Sequence, residues 1–403
     1  MVDPPLVLVV AALSLFGVAM IYSAGIVVNP REVVQTAWIR QGMWLLIALG
    51  AFSALARIPL RWYEWVAVPA YVISLVLLAA TLVVGTGAGT AEGIESWISI
   101  GPVHFQPSEV AKIATILALA RLLSSRDEAP VTLQDLLGPG TVVALPLGLV
   151  ILQPDLGTAM AFVGILFAML YWAGTPVGLL FLMASPVAAV ILSFDNRIWA
   201  GYMVCLFLAL YLYRYRLFLY ESAAVVVANL AAGTVARPLW DSLKDYQKNR
   251  FLVFLDPSVD PRGAGYNLIQ SKVAIGSGGL TGKGFTEGTQ KGFNFLPEQH
   301  TDFIFSVIGE ELGFAGVSLA LLAFAFILAR LVKLAEEASD PFAGLVLFGI
   351  FGTWIVHIFV NIGMTVGVVP ITGIPLPFVS YGGTFLLMSW VAVAIAVRLA
   401  HDD

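Results

Sequence analysis

The feature that most constrains this chain is a succession of apolar runs, repeated from end to end and separated by short polar breaks. Spanning the hydrocarbon core of a bilayer takes about 20 apolar residues per helix. Runs of roughly that length fall at 5–25, 37–56, 65–85, 107–124, 138–152, 156–174, 177–194, 198–213, 217–235, 302–332, 342–368 and 377–400. Of the 403 residues, 59% are hydrophobic and only 12% are charged, which argues against a water-soluble globule. The alternating ten-residue strands of a transmembrane β-barrel are not visible. The expected fold is therefore an all-α polytopic integral membrane protein.

The first run has no basic segment before it and is long enough to span, so it reads as a retained helix rather than a cleaved signal peptide. The run at 138–152 is short. Those at 198–213 and 217–235 are joined only by Arg214-Tyr215-Arg216 and read as a hairpin inserted at about 195–236. That gives ten core helices, and twelve with the hairpin. Three blocks follow: membrane helices in 1–236, a long connection at 237–300, and membrane helices in 301–403. The single cysteine, Cys205, excludes an intrachain disulfide and reads as a small buried hydrophobe.

Lys and Arg in short loops set the orientation. Arg57, Arg61, Arg121, Arg126, Arg214, Arg216, Arg330, Lys333 and Arg398 share one side if both termini are cytoplasmic. The 237–300 connection is then outside, with eight Lys/Arg and six Asp/Glu in a chain of net charge -5. A loop of this length escapes the positive-inside rule. Three other irregular pieces face the same way: 86–106 with Trp97 and Gln106, the QPDLG break at 153–157, and the proline-rich 369–383. Irregular backbone at membrane depth is tolerated only where protein buries it or it lines a wet cavity. Their convergence predicts a cavity opening on the outer face.

Each motif within these pieces has two readings. The nine glycines from Gly263 to Gly292 form a turn-rich loop, or a backbone that approaches a bulky anionic ligand beside Lys283. They do not make a Walker loop, since five residues separate Gly276 from Gly282 and Gly284 follows Lys283. Asp256-Pro257 and Asp260-Pro261 are ordinary turn starters. Alternatively, the hydrophobic stretch before Asp256 holds it at the membrane interface, where desolvation raises its pKa and makes it a better base. Thr301 or Asp302 reads as the cap of the next helix, and Glu310 and Glu311 as intramembrane acids that mark a site or pair with a buried cation. Glu109 and Lys112 lie on one helical face, as an ion pair or with the cation free for a lipid-linked phosphate. Asp155 and Asn361 mark a site or satisfy freed backbone groups. His300 has no second ligand at metal spacing, and no metal cluster is visible.

Together, QPSEVAK (106–112), QPDLGTA (153–159), the 254–285 segment, FLPEQHTDFIFSVIGEELG (295–313) and VPITGIPLPFVSYGG (369–383) resemble the SEDS family of cell-wall polymerases, named for shape, elongation, division and sporulation. Lys272 and Gln299 are similar to its elongation branch. The resemblance implies a bundle of ten core helices with a large extracellular loop, and a peptidoglycan glycosyltransferase acting on lipid II in the cytoplasmic membrane. It implies Asp256 as the essential acid, whose chemistry suits a general base. Lys112, Arg250, Lys272 and Lys283 are the candidate diphosphate contacts, with Glu109, Trp97, Asp302 and Ser380 as further substrate-site residues. A divalent cation, Mg²⁺ or Mn²⁺, on the substrate diphosphate is compatible with it, although no dedicated ligands are visible. Implied partners are a class B penicillin-binding protein, held through membrane helices, other elongation-complex proteins and membrane lipids, with no nucleic acid. The rival readings are a lipid II flippase, which needs a polar path through both leaflets, and a non-catalytic scaffold of the elongation complex.

Overall fold

The computed structural model describes residues 3–28, 32–87, 96–101, 103–213, 218–260, 263–292 and 298–400. Arg214, Arg216, Pro261 and the 295–297 portion of the FLPEQHTDF motif lie outside the described residues. In chain order the elements are α1 (Pro4–Ala24), α2 (Glu32–Gln35), α3 (Ala37–Leu55), α4 (Leu60–Val84), β1 (Ile98–Ile100), β2 (Val103–Phe105), α5 (Pro107–Ser124), α6 (Leu137–Leu152), α7 (Leu156–Trp172), α8 (Val177–Leu192), α9 (Asn196–Tyr213) and α10 (Leu219–Ser242). The second half holds α11 (Asp245–Leu255), a 3₁₀ turn (Pro257–Val259), α12 (Ala264–Ser277), α13 (Thr289–Gly292), α14 (Ile304–Glu337), α15 (Pro341–Val366) and α16 (Gly383–Leu399). The long helices match the apolar runs of the sequence one for one.

Among the described residues, six helices are long and apolar enough to cross a membrane, and α6, α7, α8, α9 and α16 are shorter apolar helices beside them. The protein is an integral membrane protein. Leu8, Leu46, Val83, Phe181 and Leu322 present most of their surface outward, as side chains facing lipid do. Cys205 shares that outward exposure, so its expected burial is corrected: the helix that carries it, α9, is peripheral and packs on α8 and α10.

Because lipid tails are as apolar as leucine, close packing and interhelical hydrogen bonds hold such helices together. The centre of the bundle is α15, which packs on α5, α7, α12, α14 and α16. At its flank, Trp390 of α16 is fully buried, stacks edge-on against Phe52 of α3 and donates from Nε1 to Ser14 Oγ of α1 at 3.2 Å. The α9–α10 hairpin is fixed by polar stitches. Tyr202 Oη donates to Asn229 Oδ1 at 2.7 Å, and Asn229 Nδ2 donates to Ser185 Oγ at 2.8 Å, joining α9, α10 and α8. At the far tip, buried Glu221 accepts the N–H groups of Phe218 and Leu133. The hairpin leaves and returns to the same end, so it leaves the sidedness of the bundle unchanged.

The end of the bundle that carries residues 237–300, here the loop end, also receives the other irregular segments. The run expected from 377 becomes helical only at Gly383, because 374–382 is held in a non-helical path. Its carbonyls are taken by buried side chains: Asn361 Nδ2 donates to Ile374 O at 2.7 Å and Gln41 Nε2 to Ser380 O at 3.2 Å. Gly17 of α1 lies so close that a Cβ there would stand 2.5 Å from Phe378 O. Protein therefore buries this backbone, as irregular structure at membrane depth requires.

Candidate active site

At the loop end the start of α5 is organised by Gln106, the N-cap residue, and Pro107, which enters the first turn where its missing N–H costs nothing. The helix then places Glu109 and Lys112 one turn apart, both buried, with Lys112 Nζ 2.9 Å from Glu109 Oε1. A third group joins them from α15: His357 Nε2 lies 2.9 Å from the same ammonium. The Phe385 ring of α16 is 5.4 Å from it. Glu109, Lys112 and Phe385, with Thr353, Trp354 and Ser389, line a narrow crevice between α5, α15 and α16.

The QPDLG break adds a second polar group. Asp155 caps α7, accepting Thr158 N–H at 3.0 Å, and it accepts Gln106 Nε2 at 3.3 Å. Asp302 is half-buried within electrostatic reach of Asp155, Glu298 and Arg250. Its carboxyl is pushed up to about 7, first by burial and then by Glu298, while Arg250 opposes the shift. Neither Thr301 nor Asp302 caps the following helix, contrary to the sequence expectation. The N-cap is Phe303, and Thr301 instead lends its carbonyl to Ser380 Oγ at 2.6 Å. Ser380 also accepts Leu376 N–H, so the hydroxyl expected at a substrate site serves backbone on both sides. His300 is buried beside Tyr381, and burial brings its pKa down to about 4.

Asp256 terminates α11 and starts the 3₁₀ turn, with Oδ1 accepting Ser258 N–H at 2.9 Å and Ser258 Oγ–H at 2.7 Å. It is exposed, and the hydrogen bonds from Ser258 hold its carboxyl below the usual aspartate value. This corrects the expectation of a desolvated, less acidic carboxyl: α11 ends before the carboxylate reaches any apolar cover. Asp260 keeps its turn-forming role through Gly263 N–H at 3.0 Å. No hydrogen bond or ion pair joins Asp256 to Lys112, Arg250, Lys272 or Lys283 among the described residues.

The remaining candidates are dispersed. Trp97 pairs by backbone with Thr86 beside the β1–β2 hairpin, whose His104 carbonyl accepts Thr384 Oγ1 at 3.0 Å. Lys272 is exposed on α12, with its ammonium against Gly367 at the end of α15. Lys283 Nζ is bonded to Glu310 Oε1 at 2.6 Å and to Thr289 Oγ1 at 2.7 Å. Glu311 pairs with buried Lys291, the buried-cation partner that was one of its two readings, whereas Lys283, the partner of Glu310, is partly exposed.

The glycine-rich stretch is a turn-rich segment packed by its backbone against α14. Lys283 and Gly284 donate to Glu310 O and Glu311 O, while Phe314 and Ala315 donate to Gly279 O and Leu280 O, each at 2.9–3.0 Å. This stitch crosses the break in α14 at Gly313, where φ is 60° and ψ is -160°. A Cβ on Gly282 would stand 2.0 Å from Glu311 O. Gly278 and Gly282 serve backbone-to-backbone packing against α14, which spacing along the chain cannot reveal. Sequence reasoning also missed His357 and Lys291; the only signal was an ionisable residue inside or beside an apolar run. Among the described residues, no group of three or more His, Cys, Asp or Glu is arranged to hold a metal ion.

Fold and site together define a class: a polytopic helical membrane protein with a buried charge cluster and a structured polar connection gathered at one end. The profile of the cell cycle protein family of FtsW, RodA and SpoVE matches residues 5–223 and 198–403, and the chain belongs to that family. The two matches overlap across part of the α9–α10 hairpin. The peptidoglycan glycosyltransferase MrdB of Escherichia coli is 36% identical over 401 residues, covering 98% of this chain and 93% of the relative. The peptidoglycan glycosyltransferase RodA of Treponema pallidum is 32% identical over 430 residues, covering 98% and 97%. Among solved structures, one described as a peptidoglycan synthase complex coordinating polymerization and crosslinking has a TM-score of 0.74 at 30% identity, covering 100% of this chain and 98% of its own. The rod shape determining protein RodA of Thermus thermophilus has a TM-score of 0.65 at 28% identity, covering 100% and 97%.

Proposed function

We propose that this chain is a peptidoglycan glycosyltransferase that polymerises lipid II into glycan strands at the outer face of the cytoplasmic membrane during cell elongation, with Asp256 as general base. The names of its relatives support the reaction class. The observation that carries the site is an exposed, readily ionised carboxylate at the same end of the bundle as Arg250 and the buried Glu109–Lys112 pair. The distribution of Lys and Arg supports an outer loop end and cytoplasmic termini.

In this reading Asp256 takes the proton of the GlcNAc 4-hydroxyl as its oxygen attacks C1 of the neighbouring MurNAc. The bond from C1 to the diphosphate breaks, and cations stabilise the departing lipid diphosphate. Lys112, Arg250 and Lys272 are the cations offered for that role; Lys283 would first exchange Glu310 for the phosphate. A diphosphate leaves without a strong acid, so one carboxylate suffices where a glycosidase needs two. A class B penicillin-binding protein, bound through membrane helices, would crosslink the strands, and the synthase-complex neighbour supports such a partner.

The test is polymerisation of lipid II by purified wild type and Asp256→Asn, with and without that partner. Loss of a general base costs about 10²–10⁴ in rate, and an exposed residue of this kind leaves the melting temperature unchanged. Long glycan strands from the variant would overturn the assignment of Asp256. Translocation of lipid II in liposomes, lost in the same variant, would favour a flippase instead.

A further inference from the structure

We propose that His357 is a positioning residue: it orients the Lys112 ammonium toward the substrate diphosphate and couples it to the proline-rich 374–382 segment. The inference rests on the reading that Lys112 contacts that diphosphate. Its geometry is independent of that reading. His357 Nδ1 lies 3.1 Å from Pro375 O, a group that can only accept, so Nδ1 carries the hydrogen. Nε2 lies 2.9 Å from Lys112 Nζ, a group that can only donate, so Nε2 presents its lone pair. Both partners select one neutral tautomer. A doubly protonated ring would lose the Lys112 bond and set two cations in contact inside the bundle.

Lys112 thereby has two of its three hydrogens directed, one to Glu109 Oε1 and one to His357 Nε2. The third has no acceptor among the described residues, and the ammonium lines the crevice between α5, α15 and α16. A flexible four-carbon side chain loses rotamer freedom when it binds a ligand; holding it beforehand reduces that cost. Glu109 alone fixes the charge, whereas Glu109 and His357 together fix a direction. One turn further along α15, Asn361 holds Ile374 O at 2.7 Å and Asp302 O at 3.1 Å. The same helix face therefore grips consecutive carbonyls of the irregular segment, and His357 passes the setting of that segment to the ammonium.

The experiment compares His357→Leu and His357→Gln in two backgrounds: the intact chain, and Glu109→Gln/Lys112→Met, which removes both charges and leaves no buried ion unpaired. Purified full-length protein is assayed for kcat and KM with lipid II, for binding of undecaprenyl diphosphate in detergent, and for thermal melting. In the intact background His357→Leu should lower kcat/KM and diphosphate binding by about 10- to 100-fold, the value of one hydrogen bond to a charged group. His357→Gln keeps an acceptor and a donor and should stay within about threefold of wild type. In the charge-free background His357→Leu should change binding by less than about twofold, since the residue acts through Lys112.

Equal losses in both backgrounds, or His357→Gln behaving as His357→Leu, would overturn the proposal. A lower melting temperature with kcat/KM and binding unchanged would do the same. Failure of the polymerase reading is a separate result, namely wild type that makes no glycan from lipid II. Diphosphate binding across the two backgrounds still decides the coupling in that case.

Discussion

Lys291 and Glu311 form an ion pair with side-chain exposures of only 1% and 0%, one from the long connection and the other from α14. Ser23 of α1 completes it, donating to both Glu311 oxygens at 2.6 and 2.7 Å, while Lys291 Nζ reaches Ser23 O at 2.6 Å. Removing one member of a buried pair leaves the other charge uncompensated, at a cost of about 3–5 kcal/mol. Lys291→Met should therefore melt well below wild type in detergent. Lys291→Met/Glu311→Gln should recover most of that loss, because no buried ion is left unpaired.

The stitch between the glycine-rich stretch and the break in α14 depends on Gly282, whose φ of +80° and 2.0 Å approach to Glu311 O leave no room for a Cβ. Gly282→Ala should cost about 1–3 kcal/mol from backbone strain alone, and more from the clash. Gly276, inside α12, meets nothing within 4 Å. There the same change should be neutral or stabilise by about 0.4–1 kcal/mol. Melting curves of the two variants give a direct comparison.

Ser258 is the main cause of the lowered pKa of Asp256, since it hydrogen-bonds the ionised form. Ser258→Ala removes the hydroxyl bond and should move that pKa upward. If Asp256 is the base, activity falls where the carboxylate becomes protonated, so the acid limb of the rate profile should shift to higher pH. Polymerisation rates between about pH 3 and 6, around the usual aspartate range, check this; an unmoved limb would separate the base from Asp256.

Asp302 carries the opposite shift, up to about 7 through burial. The folded chain holds this proton over a range in which the unfolded chain has released it, so the group favours folding below that range and opposes it above. Its contribution to stability should decline as pH rises from about 4 to about 7. Asp302→Asn abolishes the titration. The difference in melting temperature between variant and wild type should then grow in favour of the variant from pH 5 to pH 8.

The membrane-spanning bundle was legible in the sequence because bilayer thickness imposes a length and lipid imposes apolarity, and both are local properties of a run. The same reasoning located the irregular segments, since QPDLG and the prolines at 370–377 interrupt otherwise continuous runs. The pairing of Glu109 with Lys112 was also readable as one of two alternatives, being fixed by helix geometry three residues apart. What one residue meets across 245 positions, as Lys112 meets His357, has no signature in local pattern. The environment of Asp256 was likewise decided in three dimensions: only the end point of α11 determines whether its carboxylate is covered or bathed in solvent. Gly278 and Gly282 followed the same logic, since the carbonyls of Gly309 and Glu311 in α14 leave no room for a Cβ. Sequence by itself determined which segments cross the membrane, because solvation acts on each run alone. Tertiary structure decided which charges are paired and which stay available, because that depends on what the fold brings within about 3 Å.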